Sequence, residues 1–356
     1  MSIFHAGFDP SGGVVRVRFE SGARHHIGDE LEVLGCSRAL VLTTPQQEAQ
    51  GTEIVDSLDD KACGLFANAT MHTPVEVTAE AMEVAADTGA DVVVAIGGGS
   101  TIGLAKAIAY RTDLPQIAVP TTYAGSEATS VLGQIENGVK QTLKSPRVQP
   151  EVVIYDPELV MTLPADMTVT SGLNAMAHAV EALYSRDANL LSNELALAGI
   201  RSFVSGLPDV IKNLGDIQAR TDTLFGSWLC GSVMAQVGMA LHHKLCHTLG
   251  GSLNLPHSVV HAIILPHATA YNEAAAAESL APIAKLLNSN SAGEGLYDFA
   301  KSLGAPMALK DLGVSKINLD QVADLAVMNP YWNPRSIERE AVRELLERAW
   351  EGAYPE

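Results

Sequence analysis

The stretch DVVVAIGGGSTIGLAKAIA, residues 91–109, decides the fold of the first part of the chain. It begins with a short β-branched run, continues through Gly97, Gly98, Gly99 and Ser100, and ends in an alanine-rich segment with helical spacing. This order predicts a buried strand, a tight turn and a helix. Backbone amides at a helix start that follows glycines can bind a pyrophosphate. The spacing is not the GxGxxG fingerprint, so a tight turn without a ligand is the alternative.

Short apolar runs alternate with helical stretches over the first part of the chain, and then the pattern changes. The runs are RALVLTT (38–44), DVVVAIGG (91–98), QIAVPTT (116–122) and EVVIYD (151–156). They predict a parallel sheet with crossover helices. The remainder is rich in Ala, Leu and Met at helical spacing. We expect an α/β dinucleotide-binding domain over residues 1–157, an all-α catalytic domain over residues 158–356, and the active site in the cleft between them.

A second strand end supports the nucleotide site. PTTYAGSEAT (120–129) follows the next strand, and the hydroxyls of Thr121, Thr122 and Ser126 are expected at the carboxyl edge of the sheet, where open α/β folds bind ligands. The first strand ends in Thr43 and Thr44 rather than in the acidic residue that often holds the ribose of NADH and repels the 2′-phosphate of NADPH. We therefore predict that either NADH or NADPH can serve as cofactor.

Composition excludes several classes of protein. With 41 acidic and 23 basic residues the net charge is −18, which argues against nucleic-acid and anionic-membrane partners. The cysteines, Cys36, Cys63, Cys230 and Cys246, form no CxxC pair, which fits a reducing compartment. The first residues lack the basic and apolar regions of a signal peptide, and no apolar run reaches the ~18 residues of a membrane span. We expect a cytoplasmic protein.

Histidines are concentrated in LHHKLCHTLGGSLNLPHSVVHAIILPH. Those between residues 242 and 267 are His242, His243, His247, His257, His261 and His267. His243 shares a helix face with His247. His257 follows a proline at what is expected to be the start of another helix. We expect His243 and His257 to converge in a functional site, and we interpret His261 and His267 as hydrogen-bonded core residues.

The chain resembles the iron-containing alcohol dehydrogenase family, within the dehydroquinate synthase-like superfamily. The resemblance rests on GGGS after one strand, TTYAGSE after the next, SGLNAMAHAVEA (171–182) and the histidine-rich stretch, and it covers nearly the full chain. It implies a divalent metal held by an Asp and a His four residues apart and by two later histidines fourteen apart. The matching positions are Asn174, His178, His243 and His257, so the anionic ligand is absent.

Further departures point to one branch of that family. Gly103 stands where an Asp is usual, Tyr123 lies in a loop usually written TTAGTGSE, and NPYWNPRSIEREAVRELLERA follows near the C-terminus. Together with Asn174 these features are similar to the maleylacetate reductase branch. Because an amide oxygen is a weak neutral ligand, we expect no metal, although a weak site of three histidines stays open. A metal-dependent alcohol dehydrogenase is the first alternative, and a dehydroquinate synthase-like lyase and a catalytically silent nucleotide-binding protein are others.

The resemblance implies reduction of maleylacetate to 3-oxoadipate, with hydride delivered to the carbon β to the ketone. Such a site needs a group that stabilises the enolate oxygen and a general acid. We assign His243 as proton donor or oxyanion partner, His178 and His257 as electrostatic partners, and Asn174 as a neutral hydrogen-bonding group. Candidates for binding the substrate carboxylates are Lys244, Arg335, His242 and Tyr123. The family also implies a homodimer, and the strand VVRVRFESG (14–22) is expected to offer an edge for pairing.

Overall fold

The computed structural model describes residues 3–6, 13–136 and 139–356. It contains two compact units, Met1–Leu163 and Pro164–Glu356. The division lies a few residues after the predicted boundary at residue 157. The reason is that the turn after the last strand belongs to the first unit, since Leu159 packs into the core beside the sheet and Glu158 accepts a hydrogen bond from Arg24 at 2.7 Å.

The first unit is built on a mostly parallel sheet, as predicted. Its strands are β1 (Ile3–Ala6), β2 (Val15–Phe19), β3 (Ala39–Leu42), β4 (Ala62–Phe66), β5 (Val92–Gly97), β6 (Gln116–Pro120), β7 (Val131–Glu136), β8 (Val139–Lys144) and β9 (Val152–Tyr155). Its helices are α1 (Ile27–Leu34), α2 (Glu48–Leu58), α3 (Val75–Thr88) and α4 (Gly99–Thr112). Seven strands pair in the order β1-β2-β9-β6-β5-β3-β4, and β7 and β8 form a separate antiparallel hairpin that the sequence analysis missed.

The central strands are continuous apolar runs because helices cover both faces of the sheet. Val94 and Ile96 of β5 face a core shared with α1 and α2. Val93 and Ala95, which alternate with them, face a core shared with α3 and α4. Burial on both sides is the usual state of a parallel sheet with crossover helices.

The chain reverses its direction of travel through the sheet between β3 and β5. From β3 it continues to β4 on one side, and from β5 it continues to β6 on the other side. These two central strands are parallel neighbours, with Leu42 opposite Ala95. A crevice at the carboxyl ends of such a strand pair is where open α/β sheets bind ligands. The predicted residues after β3 and at the end of β5 therefore lie at this switch point.

The prediction that the early strand offers an edge for dimer pairing is wrong. Strand β2 is paired on both sides, antiparallel with β1 and parallel with β9. The short strand β1 covers the edge that the sequence analysis left open.

The second unit is helical, as predicted, and its described residues, 164–356, include no strand. Its helices are α5 (Ala165–Leu183), α6 (Leu190–Lys212), α7 (Ile217–Gln236), α8 (Leu241–Leu253), α9 (His257–Leu286), α10 (Ala292–Ser302), α11 (Lys316–Val327) and α12 (Arg339–Glu351). One core lies among α8, α9, α11 and α12. In the described part of the chain no single helix has the length and apolarity to cross a bilayer, whereas α7 and α8 pass that test only as a pair bent by 98°.

Candidate active site

The three glycines after β5 form a close-packed turn at the start of α4. A Cβ atom on Gly97 would lie 2.3 Å from Thr101 Oγ1, and one on Gly98 would lie 2.9 Å from Thr122 Cγ2. No larger residue fits these positions without displacing its neighbours. Helix α4 begins at Gly99, so its first amides point out of the helix without intrahelical acceptors. Ser100 is half-buried in this first turn. The turn has the geometry of a phosphate cradle.

A glutamine that the sequence analysis missed joins the strand ends around this cradle. Gln47, which follows Thr44 and β3, donates a hydrogen bond to Thr121 Oγ1 at 2.9 Å. Its Oε1 accepts from the Thr44 hydroxyl at 3.5 Å and would lie 3.0 Å from a Cβ on Gly97. The structure therefore brings together Thr44, Gly97 and Thr121, as predicted from their strand ends. The available signal was that Gln47 lies two positions after the proline that follows the threonine pair at the end of β3.

The other predicted cofactor residues differ in how accessible they are. Thr122 and Ser126 are half-buried in the loop after β6. Thr43 is fully buried, and a Cβ on Gly51 of α2 would lie only 2.8 Å from its methyl group. Thr43 therefore packs against α2, and the prediction that it contacts the cofactor is not supported. Tyr123, predicted to meet the substrate, is fully buried in the same loop of the first unit.

Helices α5, α8 and α9 of the second unit bring the histidines together. The ring centroids of His178 and His243 are 5.2 Å apart, and those of His243 and His247 are 5.9 Å apart. His257 stacks on His247 at 6.1 Å and contacts His261 at 4.2 Å. Helix α9 begins at His257, as predicted from the preceding proline. These five imidazoles, together with His242, are called the imidazole cluster below.

A buried carboxylate fixes the orientation of His243, and the sequence analysis missed it. Glu181 Oε2 lies 2.8 Å from His243 Nδ1. The carboxylate also accepts hydrogen bonds from the backbone amides of Ala240 and His242, both at 2.7 Å. Since a carboxylate accepts, Nδ1 carries a hydrogen and Nε2 is the nitrogen left for other chemistry. Glu181 lies seven residues after Asn174, on the same face of α5, and that spacing was the available signal.

Several buried polar atoms of α5 and of the imidazole cluster have no hydrogen-bond partner within the described ranges. Among the described residues, Asn174 Oδ1, His178 Nδ1 and His243 Nε2 are buried and have no hydrogen-bond partner. Asn174 and His178 are one turn apart on α5, so they share a face. Buried polar groups without partners are rare and mark positions where a ligand's polar atom can bind. These atoms define the candidate substrate subsite of the second unit.

Burial determines the charge of two neighbouring histidines. Desolvation, together with the nearby His243 and His247, holds the pKa of His178 well below its usual range. The pKa of His242 is lowered well below its usual range as well, again mainly by burial. Both rings are therefore neutral at neutral pH. Burial and the neighbouring imidazoles therefore disfavour a charge on His178 while no anion is bound, and its role as an electrostatic partner stays a prediction.

The predicted carboxylate-binding residues of the second unit have partners inside it. His242 Nε2 is 3.0 Å from His261 Nδ1, and Lys244 donates to the carbonyl of Met328 at 3.2 Å. The guanidinium of Arg335 lies 4.1 Å from the ring centroid of Tyr271 and donates to that residue's carbonyl. These contacts account for the three side chains without a substrate.

The prediction of hydrogen-bonded core residues is confirmed for one of the remaining histidines and wrong for the other. His261 and His267 are both buried, and His261 Nδ1 is hydrogen-bonded to His242 Nε2, whereas neither ring nitrogen of His267 has a hydrogen-bond partner among the described residues. Tyr331, from the NPYW segment, places its hydroxyl 3.1 Å from His247 Nδ1. Tyr331 was not among the residues predicted for the site.

The donor set does not fit a tightly held divalent cation. Position 174 offers an amide, and both oxygens of Glu181 are engaged by His243 and backbone amides. In the described part of the chain, the group whose ligand atoms lie within 4.8 Å of one another is His242, Cys246 and His261, which already contact each other. The four positions that match the family's ligands do not form such a group.

Two family models match most of the chain. The sequence model of the iron-containing alcohol dehydrogenases matches residues 15–157, and that of the C-terminal region of the Fe-containing alcohol dehydrogenase family matches residues 168–350. The chain belongs to the iron-containing alcohol dehydrogenase family. It is an oxidoreductase, and the family's nicotinamide dependence agrees with the cradle in the first unit. The predicted fold class is confirmed.

Several similar proteins within the family are maleylacetate reductases. A maleylacetate reductase of Rhizobium sp. (strain MTP-10005) is 55% identical over 341 residues, which cover 96% of this chain and 97% of the relative. One of Burkholderia cepacia is 50% identical over 342 residues, covering 96% and 97%. The crystal structure of a maleylacetate reductase from Agrobacterium tumefaciens superposes with a TM-score of 0.93 and 53% identity over 100% of both chains.

Proposed function

We propose that this chain reduces the conjugated carbon–carbon double bond of maleylacetate with hydride from NADH or NADPH, giving 3-oxoadipate. The observation that carries the proposal is the imidazole of His243, held by Glu181 at Nδ1 and open at Nε2, with its ring 5.2 Å from that of His178, which is one helical turn from the neutral Asn174. A neutral residue at position 174 suits a dianionic substrate, which a carboxylate there would repel. The relatives named above support the choice of substrate.

The reaction adds a hydride and a proton across the double bond. Hydride from the reduced nicotinamide forms a C–H bond at the carbon β to the ketone, and the electrons of the double bond move to the ketone oxygen as an enolate. When the enolate collapses, a proton adds to the α carbon and the saturated ketone results. The oxidised nicotinamide leaves with its positive charge. The protein must therefore stabilise the developing oxyanion and supply one proton.

His243 is suited to both tasks in its protonated form. Its Nε2–H can donate to the ketone oxygen, while the Glu181 carboxylate balances the imidazolium charge from the Nδ1 side. Asn174 can turn its amide so that the NH₂ group donates to the same oxygen. His178, being neutral, contributes a hydrogen bond rather than a charge. His257 is one stacked ring away, on His247, at the half-buried side of the cluster.

The cofactor site is proposed to accept either dinucleotide. The two side chains that join the strand ends at the cradle, Thr44 and Gln47, are neutral, so neither repels the 2′-phosphate of NADPH. The catalytic efficiencies with NADH and with NADPH are expected to lie within ~100-fold of each other. A carboxylate that repelled the 2′-phosphate would produce a larger preference for NADH. A preference for NADH above that range would contradict the proposal.

The direct test is a spectrophotometric assay of NADH and NADPH oxidation with maleylacetate. We expect turnover with maleylacetate and none of comparable rate with simple aldehydes. Fast reduction of aldehydes that requires an added divalent metal would instead favour the metal-dependent alcohol dehydrogenase. Cofactor binding without turnover on any enone or dienoate substrate would favour a silent nucleotide-binding protein.

The remaining expectations are proposals about the cellular setting. We propose that the protein works in the cytoplasm on a small dicarboxylate and that it forms a homodimer. The acidic composition and the absence of any disulfide pattern among the four cysteines support a reducing compartment. Light scattering of the purified chain tests the dimer, and a monomeric mass at working concentration would refute it.

A further inference from the structure

A lysine lies inside the first unit at a place where a charge is costly. Lys106 is in the middle of α4 and is fully buried, whereas the residues on either side of it are alanines. An ammonium group in such a place is tolerated when hydrogen-bond acceptors surround it. The burial of the Lys106 ammonium group therefore needs a structural or functional explanation.

Backbone oxygens of the loop after β6 surround the ammonium group. Lys106 Nζ donates to the carbonyls of Ser126, Thr129 and Val131 at 2.5, 2.7 and 2.9 Å, and the hydroxyl of Thr129 lies at 3.0 Å. Four oxygens thus share the three N–H donors of one side chain. Hydrogen bonds from a charged donor to carbonyls are stronger than those between neutral groups. The side chain holds three points of one short loop.

The loop and the helix that Lys106 connects carry the two halves of the cofactor site. Helix α4 starts at the glycine cradle, and residues 121–131 include Thr121, Thr122 and Ser126. A second buried anchor holds the same loop from the sheet, since the Tyr155 hydroxyl donates to Glu127 Oε1 at 3.1 Å. The loop has little regular structure of its own beyond a single 3₁₀ turn, so its shape depends on such anchors.

We propose that Lys106 is a positioning residue that holds residues 121–131 in the conformation required to bind the nicotinamide cofactor. The inference rests on the proposed function only in taking the ligand to be a nicotinamide dinucleotide. Lys106 acts through the loop backbone and does not itself contact the cofactor.

Hydrogen exchange of the protein without cofactor or substrate gives the first test. The Lys106→Met variant keeps the length of the side chain but leaves the loop carbonyls without their donor. Amides within residues 121–131 should then exchange at least about tenfold faster, while the strands of the sheet keep their protection. The matched control is Arg111→Met on the same helix, because Arg111 is exposed and donates to Ala107 and Gln134, outside the loop. It should leave exchange in the loop unchanged.

Cofactor binding gives the second test. For Lys106→Met we expect the Kd of NADH, measured by fluorescence without substrate, to rise about tenfold. The KM for maleylacetate and the kcat at saturating NADH should stay within about threefold of wild type, because the chemistry lies in the second unit. Unchanged loop exchange and unchanged Kd would overturn the proposal. Loss of protection across the whole sheet with equal loss of every kinetic constant would overturn it too, since Lys106 would then only support the fold.

A milder variant covers the case in which Lys106→Met does not fold. Thr129→Val keeps the volume of the side chain and removes one acceptor of the ammonium group, together with the hydrogen bonds that the hydroxyl donates to the Ser126 carbonyl and accepts from the Val131 amide. It should shift loop exchange and NADH affinity in the same direction by about threefold. No shift in either would contradict the assignment. Because the exchange measurement contains no substrate, its result is independent of whether maleylacetate is reduced, and so this inference and the proposed function can fail separately.

Discussion

The two candidate sites of this protein are built from different materials. In the first unit the cofactor cradle consists of glycine backbone, a helix start and the ends of adjacent parallel strands. In the second unit the imidazole cluster consists of side chains from α5, α8 and α9, with the carboxylate of Glu181 fixing one ring. The cofactor cradle can be predicted from a short segment of sequence, whereas the imidazole cluster forms only when helices that are distant in the sequence pack together.

This difference predicts which kinds of mutation each site tolerates. A backbone site is damaged by added volume at its glycines. A side-chain site is damaged by a change of charge or of hydrogen-bonding capacity, even when volume is kept. The following variants separate the two, and they run from the largest expected effect to the smallest.

Replacing His243 by Gln should lower kcat about 100-fold, the usual contribution of a positioned acid–base group. The variant loses the proton donor but keeps a polar side chain of similar size, so the Kd of NADH should not change. Steady-state kinetics with maleylacetate, alongside NADH fluorescence titration, measures both quantities. Near-wild-type turnover in a folded His243→Gln protein would refute the assignment of His243.

Replacing Asn174 by Asp restores the carboxylate that the family has at this position. We expect the KM for maleylacetate to rise about tenfold or more in metal-free buffer, because an anion there repels a dianionic substrate. The variant should also bind Zn²⁺ more tightly than wild type, since it regains an anionic oxygen ligand. Zinc titration by calorimetry and kinetics in metal-free buffer test the two expectations. Equal KM values for variant and wild type would show that position 174 does not face the substrate.

Replacing Gly98 by Ala tests the backbone site. A Cβ there would lie 2.9 Å from Thr122 Cγ2 and 3.0 Å from its hydroxyl, so Thr122 must move. We expect the KM for NADH to rise up to about tenfold with little change in kcat. Gly99→Ala is the matched control for the fold, because its Cβ would meet only Ala124 Cβ at 3.9 Å. Only Gly98→Ala should lower the Tm of the protein without cofactor, and equal Tm values for the two variants would contradict the packing argument.

Replacing Glu127 by Gln should change the pH dependence of stability. Burial raises the pKa of Glu127 from its ordinary value near 4.5 to about 7. Between these values the folded protein binds more protons than the unfolded chain, so stability falls as the pH rises from about 4.5 to 7. Glutamine lacks this titration. The Tm of Glu127→Gln relative to wild type should therefore increase between pH 5 and pH 8, by a few degrees at most. Parallel Tm profiles would show that Glu127 ionises normally.

The sequence predicted the features that are local in the chain. The strand, the glycine turn and the start of α4 are set by neighbouring residues, and the positions of His178, His243 and His257 on their helices followed from spacing and from one proline. These interactions need no knowledge of tertiary packing. The α/β unit followed by a helical unit was predictable for the same reason.

The features that could not be predicted from the sequence depend on contacts between residues that are far apart in the chain. The Glu181–His243 contact joins α5 to α8, and its only local signal was the helical spacing of Glu181 from Asn174. The neutral state of His178 follows from burial, which residue types alone do not show. Lys106 was visible as a charge between two alanines of α4, but its partners lie in a loop about twenty residues later. The paired state of β2 depended on β1, a strand too short to recognise.

The central claim is that charge on the substrate oxygen is stabilised by the imidazole of His243, paired with Glu181, rather than by a metal ion. The most direct measurement is maleylacetate turnover of protein whose iron and zinc content has been determined before and after treatment with EDTA. The account predicts full activity in protein that holds far less than one metal ion per chain. Loss of activity on EDTA treatment, restored by stoichiometric iron or zinc bound through His178, His243 and His257, would contradict it.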